Sequence, residues 1–136
     1  MFPISFRFDG WSIDDPQQMS RTIDELVMAL ADHNRDVMMR VPLPPLYAAG
    51  VRYKAQREDV FMDAPAVFHD GHSDCKNLVA WRIAELALQG MPAGATTFWQ
   101  YRESAKGFPY WFHVVVVRGD GFIEDPSAAL GMNSQE

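Results

Sequence analysis

The chain contains only one cysteine, Cys75, among its 136 residues. A single cysteine excludes an internal disulfide, so the composition gives no sign of an oxidising compartment. No apolar run reaches the length of a membrane span, and the segment from Met1 to Ser5 lacks the basic-then-apolar pattern of a secretory signal. We therefore expect a cytoplasmic protein with no membrane partner.

Positive charge is also scarce. Twelve Lys and Arg residues stand against 18 Asp and Glu, which gives a formal net charge of −6. A surface that binds nucleic-acid phosphates needs a basic stripe, and the sequence shows none, so we expect no nucleic-acid partner. The length and the 48% apolar content are those of one globular domain with its own core. We predict a single domain over residues 1–136, with a frayed tail at 133–136.

In the N-terminal half, the pattern predicts one strand and one helix. Phe2 to Phe8 alternates apolar and polar residues, as a strand does. The segment Thr22-Ile23-Asp24-Glu25 has the spacing of a capping box, and apolar residues follow it at helical spacing. These signals predict a helix from about Thr22 to about Met39, which the proline-rich segment 41–45 ends.

The C-terminal half contains two predicted helices and three predicted strands. Asp63 and Pro65 open a short helical turn that ends near His69. A mostly apolar helix runs from about Cys75 to Gln89, with Gly90 at its C-terminal end and a narrow polar stripe that includes Arg82 and Glu85. The strand candidates are Ala95 to Tyr101, Pro109 to Arg118 and Gly121 to Glu124.

Cys75 lies at the predicted start of a helix, where unpaired N–H groups and the helix dipole favour a thiolate over a thiol. His113 follows in a valine-rich strand, and Asp125 follows that strand just before Pro126. The order Cys, His, Asp supplies a nucleophile, a base and a residue that orients the base. These three groups are the minimum for covalent acyl chemistry.

The loop between the last two strands decides whether His113 and Asp125 meet, because side chains alternate across a strand. A two-residue turn would place them on opposite faces. A three-residue loop, Gly119 to Gly121, pairs Val117 with Ile123. His113 then lies diagonally across from Asp125 on the same face, with roughly 7–8 Å between their backbone positions. Gly121 suits the left-handed conformation that usually ends such a loop. The triad hypothesis therefore predicts the three-residue loop.

Three segments resemble the transglutaminase-like superfamily of cysteine enzymes. They are Gly71 to Leu78 entering a helix, Gly90 to Ala93 leaving it, and Phe112 to Val116 together with Phe122 to Pro126. The family pattern is a Gly-x-Cys turn, a helix that exits through a Gly-Ile-Pro-like segment, a strand histidine, and an aspartate before proline. The resemblance covers about residues 63–132. Ser73 replaces the usual small glycine and Lys76 replaces an acidic or small residue, but neither change removes a catalytic group.

This resemblance implies an α+β fold with a papain-like core, in which the cysteine-bearing helix packs on a small antiparallel sheet that carries the histidine and the aspartate. It also implies acyl transfer through a thioester, without a cofactor or a metal. Cys75 would attack an amide carbonyl, His113 would hold the thiolate as an ion pair and protonate the leaving amine, and Asp125 would orient the ring.

The acceptor and the substrate follow only in outline from the resemblance. Water as acceptor gives a protease or amidase, and an amine gives a transglutaminase, each acting on a protein or peptide. The Cys75 N–H is one oxyanion donor, and the second donor stays open among Tyr53, Gln56, His69 and Gln100. Short single-domain proteins of this type resemble those encoded in phage and prophage regions.

Other interpretations stay open. Cys75 alone could be a small core residue, His113 a hydrogen-bonded strand histidine, and Asp125 a cap at Pro126. His69, His72, Asp74, Cys75 and His113 could form a metal site, although loop histidines more often face solvent. The chain could also keep the fold as a binding or phage assembly module without turnover. The aromatic residues of that interpretation, which at strand spacing are more often core, are Trp99, Tyr101, Phe108, Tyr110, Trp111 and Phe112.

Overall fold

The computed structural model describes residues 4–7, 15–55, 60–101 and 110–132. The helices are α1 (Pro16–Arg40), α2 (Ala64–Asp70), α3 (Cys75–Leu88) and α4 (Pro126–Ala129), and a 3₁₀ turn covers Leu46–Ala48. The strands are β1 (Ser5–Arg7), β2 (Arg52–Tyr53), β3 (Val60–Met62), β4 (His72–Ser73), β5 (Ala93–Tyr101), β6 (Tyr110–Arg118) and β7 (Ile123–Glu124). Mixed helices and small sheets make this an α+β protein, as expected.

Two parts of the predictions lie outside the described residues. They are the tail at 133–136 and three residues of the predicted strand, Phe2, Pro3 and Phe8, while Ser5–Arg7 of that strand form β1. None of the described helices combines the length and the apolar character needed to cross a membrane.

The described strands form three small sheets. β1 pairs with β3 in antiparallel fashion, and β2 pairs with β4 in parallel. The main sheet is antiparallel with the order β5-β6-β7, so the valine-rich β6 is its central strand. Burial of Val114, Val115 and Val116 agrees with the sequence, which is apolar on both faces of this strand.

The main core lies between α1, α3 and the β5-β6 part of the main sheet. Its buried members include residues of each element: Ile23, Val27 and Leu30 of α1, Val79, Ile83 and Leu86 of α3, and Val114 and Val116 of β6. A second apolar cluster joins the other side of α3 to α2 and to the 3₁₀ turn, with Trp81 fully buried in it. Because both sides of α3 are covered, the helix that begins at Cys75 is held firmly in the protein.

The start of α1 differs from the prediction at Thr22. The helix begins six residues earlier, where the Asp15 side chain accepts a hydrogen bond from the Gln18 N–H at 2.9 Å and Pro16 occupies the first turn. Thr22 therefore lies inside the helix, and its hydroxyl donates to the Gln18 carbonyl at 3.0 Å. Asp15-Pro16 is itself a strong signal for a helix start, and it precedes the capping-box spacing at Thr22.

The ends of α2 and α3 agree with the sequence patterns. Asp63 caps α2 by accepting from the Ala66 N–H at 3.0 Å, and Gly71 ends that helix in the left-handed conformation. α3 begins at Cys75, and Gly90 follows its end with a φ of 76°. Local cap residues thus set both boundaries on either side of the short connection that leads to Cys75.

The β6–β7 hairpin has the predicted three-residue loop. Val117 pairs with Ile123, and Gly121 has a φ of 87°, as the loop requires. The Gly121 N–H donates to the Arg118 carbonyl, and the Arg118 N–H donates to the Phe122 carbonyl, both at 2.9 Å. The ladder ends at Val116–Glu124, since the chain turns into α4 at Asp125.

Candidate functional site

Cys75 is the first residue of α3 and is partly buried against the main core. Asp74 occupies the N-cap position but makes no capping hydrogen bond, because its carboxylate pairs with the Lys76 ammonium. The first N–H groups of a helix have no acceptor within the helix, so they form a site for developing negative charge. The thiol therefore stands beside N–H donors that could bind an oxyanion formed on it.

His113 lies on β6 and binds Asp125 directly. Its Nε2 is 2.8 Å from the Asp125 Oδ2, a normal length for a charge-assisted hydrogen bond. The imidazole is buried and the carboxylate is half-buried. Cys75 is the other side chain that acts on the charge of this imidazole, and it favours the protonated form. The structure thus brings together the three residues that the sequence selected.

Charge coupling within this group favours the imidazolium. Burial alone would lower the pKa of His113, but the hydrogen bonds to Asp125 and Cys75 and the charges on both outweigh burial and raise that pKa to about 10. Burial would raise the pKa of Asp125, but the hydrogen bond and charge of His113 lower it. A His113 held protonated beside Asp125 and Cys75 is the arrangement that activates a cysteine nucleophile.

The aromatic residues around His113 are split between packing and exposure. The Trp111 ring stacks on the imidazole in parallel, with ring centres 5.4 Å apart. Phe98 on β5 is the direct cross-strand partner of His113 and is half-exposed. Trp99 and Tyr101 are exposed too, so core packing does not account for them, while Phe108 lies outside the described residues.

The alternative metal site is not formed. Across residues 4–7, 15–55, 60–101 and 110–132, no three His, Cys, Asp or Glu side chains come close enough together to hold an ion. His69 is 86% exposed and contacts Asp70, and Asp74 pairs with Lys76. His69 and Asp74 of the proposed ligand set therefore have other partners.

The second oxyanion donor stays unassigned. Tyr53 lies in β2 beside Ser73 of β4, Gln100 is exposed on β5 opposite Trp111, and Gln56 lies outside the described residues. These positions single out none of the candidates.

Sequence reasoning missed a polar network next to the site. The Glu124 carboxylate accepts hydrogen bonds from Tyr47, Arg82 and Arg118. Arg82 also pairs with Glu85 at 3.0 Å. The available signal was the polar stripe on an otherwise apolar α3, because charged side chains on a buried helix need partners.

The buried pair Asp74–Lys76 was missed as well. Lys76 is almost fully buried, with its ammonium on Asp74 and 5.3 Å from the centre of the Phe61 ring. In the sequence Lys76 stands out only as a departure from the family pattern, and nothing near it indicates that it is buried.

Comparison with known proteins gives no relative: no family model, curated protein or solved structure matches this chain. The chemistry of the site therefore depends on its own geometry.

Proposed function

We propose that this protein is a cysteine-dependent acyl-transfer enzyme that acts on an amide bond through a thioester. The observation that carries the proposal is the hydrogen bond from His113 to Asp125, made by an imidazole that also interacts with Cys75 at the start of α3. A buried histidine engaged by a carboxylate on one side and a thiol on the other is the arrangement of a nucleophile, a base and an orienting residue.

In this mechanism the Cys75 thiolate attacks the amide carbonyl and forms a tetrahedral oxyanion next to the free N–H groups of α3. Protonated His113 gives its proton to the leaving amine, which departs and leaves a thioester on Cys75. Neutral His113 then takes a proton from water or from an acceptor amine, which attacks the thioester and frees the thiol. Asp125 holds the ring in orientation and stabilises the imidazolium.

The fold supports the same proposal. α3 packs against the main sheet, and this sheet carries His113 on its central strand and delivers Asp125 at the end of β7. A cysteine-bearing helix set against an antiparallel sheet with the histidine and the aspartate is similar to the core expected for the transglutaminase-like superfamily. We propose membership of that superfamily, with a protein or peptide substrate, in a short protein of phage or prophage type.

The deciding experiment is the pH dependence of Cys75 alkylation by iodoacetamide, measured for the parent and for His113→Ala. We expect the parent to react with a midpoint well below the value of about 8.5 for a free thiol, and the variant to react with a higher midpoint. An unshifted midpoint that ignores His113 would refute the acyl-transfer proposal.

A second candidate function, a binding module that keeps this fold without turnover, is favoured by the aromatic surface of β5. Trp99 and Tyr101, which share one face of this strand, are exposed by 43% and 65%, and Phe98 on the other face is exposed by 50%. Exposed aromatic residues close together are typical of protein interfaces. Normal thiol reactivity together with loss of a complex on Trp99→Ser and Tyr101→Ser would support this function over catalysis.

A further inference from the structure

β7 is short for the strand that delivers Asp125. It contributes two residues to the main sheet, through the pairs Val116–Glu124 and Val117–Ile123. So short a backbone ladder holds a strand weakly. Yet the carboxylate that follows it lies 2.8 Å from His113. The position of Asp125 therefore depends on further contacts to β7.

Glu124 supplies those contacts. Its carboxylate accepts from the Tyr47 hydroxyl of the 3₁₀ turn, from the Arg82 Nε of α3 and from the Arg118 guanidinium of β6. The Glu124 side chain is only 11% exposed, so these charge-assisted bonds are largely shielded from water. The bonds from three elements to the Glu124 carboxylate therefore hold the end of β7 in place more firmly than its two backbone pairs with β6 do.

The network extends beyond Glu124 and is anchored at its far end. Arg82 bonds the Glu85 Oε2 at 3.0 Å, and the other oxygen of Glu85 accepts from the Leu46 N–H at 2.5 Å. The Arg82 guanidinium also stacks on the Tyr47 ring, 5.0 Å from its centre. The network thus ties together α3, β6 and β7, the elements that carry or precede Cys75, His113 and Asp125.

Within the part of the chain that the structure describes, the Glu124 side chain bonds Tyr47, Arg82 and Arg118 and none of Cys75, His113 and Asp125, so an effect on those three must pass through the backbone. Successive side chains of a strand point to opposite faces. Glu124 points toward Arg82 of α3, and the next residue, Asp125, points toward His113. We infer that Glu124 is a positioning residue that holds the end of β7 so that Asp125 meets His113. This inference rests on the proposed function.

The test is a double-mutant cycle on Cys75 alkylation by iodoacetamide at pH 6, with Glu124→Gln, Asp125→Asn and the double variant. Asp125→Asn removes the charge that favours imidazolium, so it slows alkylation. If Glu124 acts through Asp125, Glu124→Gln slows alkylation of the parent by about threefold to tenfold and has no further effect in the Asp125→Asn background.

Asp63→Asn is the matched control. The Asp63 carboxylate also accepts from three groups, the Ile4 N–H, the Ala66 N–H and His33, but it lies at the start of α2. Loss of the Asp63 carboxylate lowers stability. Asp63→Asn should change the alkylation rate by the same factor in the parent and in the Asp125→Asn background. If Glu124→Gln does not fold, Tyr47→Phe replaces it, since it removes one donor to the same carboxylate.

Two results would overturn the inference while leaving the proposed function intact. Alkylation that responds to His113→Ala and Asp125→Asn but not to Glu124→Gln would mean that the network has a structural role only. An equal effect of Glu124→Gln in both Asp125 backgrounds would mean that it does not act through Asp125. If alkylation ignores His113 and Asp125 altogether, the proposed function fails first and the inference fails with it.

Discussion

At the scale of single residues, the two oxygens of Asp125 have separate partners. Oδ2 binds His113, and Oδ1 accepts from the Ala128 N–H at 3.2 Å, which caps α4. Sequence analysis treated the triad and the cap as competing interpretations of this aspartate. Both interactions are present, because the capping position directs one oxygen into the helix and leaves the other free for the imidazole.

Asp125→Asn separates the two roles. Asparagine caps helices as well as aspartate does, and both variants lose the charge pair with His113, so we expect Asp125→Asn to be more stable than Asp125→Ala by roughly the 1 kcal/mol that loss of the cap costs. Activity should fall in both variants, since neither retains the carboxylate that stabilises imidazolium. Urea unfolding measures the first effect and the alkylation profile of Cys75 the second. A normal alkylation profile in Asp125→Asn would remove Asp125 from the mechanism.

Lys76 is the residue for which sequence reasoning failed most clearly. Lysine is rarely buried, and the pattern gave no reason to bury this one. The structure places its ammonium on Asp74 and over Phe61, so two charges leave water together. Burial raises the pKa of Asp74 and the Lys76 charge opposes that rise. Such pairing depends on surroundings that are distant in sequence.

Replacing one member of the Asp74–Lys76 pair should lower the unfolding free energy more than replacing both members. Asp74→Asn leaves a buried ammonium without its counter-charge, and we expect a loss of about 3–5 kcal/mol in unfolding free energy. The double variant Asp74→Asn, Lys76→Met has no buried charge and should recover most of that loss. Urea denaturation of the single and double variants measures the difference. A double variant as unstable as the single one would show that the charges are not the cause.

At the scale of elements, the boundaries set by local residues were predictable. Gly71, Gly90 and Gly121 each require a left-handed backbone, and each ends a helix or a hairpin loop where the pattern places it. The predicted start of α1 at Thr22 was wrong, because two valid cap signals, at Asp15 and at Thr22, precede the same apolar stripe. Contacts such as Tyr47 with Glu124, 77 positions apart, have no local signal at all.

The hairpin loop offers a test of how register controls the site. Gly121→Ala forces a side chain into a φ of 87° and should cost about 1–2 kcal/mol of unfolding free energy. It should also slow Cys75 alkylation at pH 6, because the β6–β7 register brings Asp125 to His113. Gly94→Ala is the control, since a Cβ at either glycine meets nothing within 4 Å and Gly94 lacks a positive φ. Equal costs for the two variants would argue against this account of the loop.

At the scale of the whole molecule, the shifted pKa values of Glu124 and His113 make the unfolding free energy fall in acid and in base respectively. Burial would raise the pKa of Glu124, but its bonds to Arg82, Tyr47 and Arg118 lower it from 4.5 to about 2. The unfolded chain therefore binds more protons than the folded one between those values, and stability falls as the pH falls through them. The raised pKa of His113 acts in reverse, because between pH 6.5 and about 10 the folded protein holds a proton that the unfolded chain releases.

In the proposed ion pair Cys75 gives up the proton that His113 gains, so the two changes cancel between about pH 6.5 and 8.5. Unfolding free energy should therefore be greatest in that range and fall on its acid side and again between about pH 8.5 and 10. Each limb has a slope of at most about 1.4 kcal/mol per pH unit per group. Urea denaturation at a series of pH values measures the curve for the parent, Glu124→Gln and His113→Ala. We expect Glu124→Gln to flatten the acid limb only, and His113→Ala to flatten the alkaline limb only. A parent whose stability does not fall between about pH 8.5 and 10 would mean that His113 is not held protonated in the folded protein, and the ion pair on which acyl transfer depends would be lost with it.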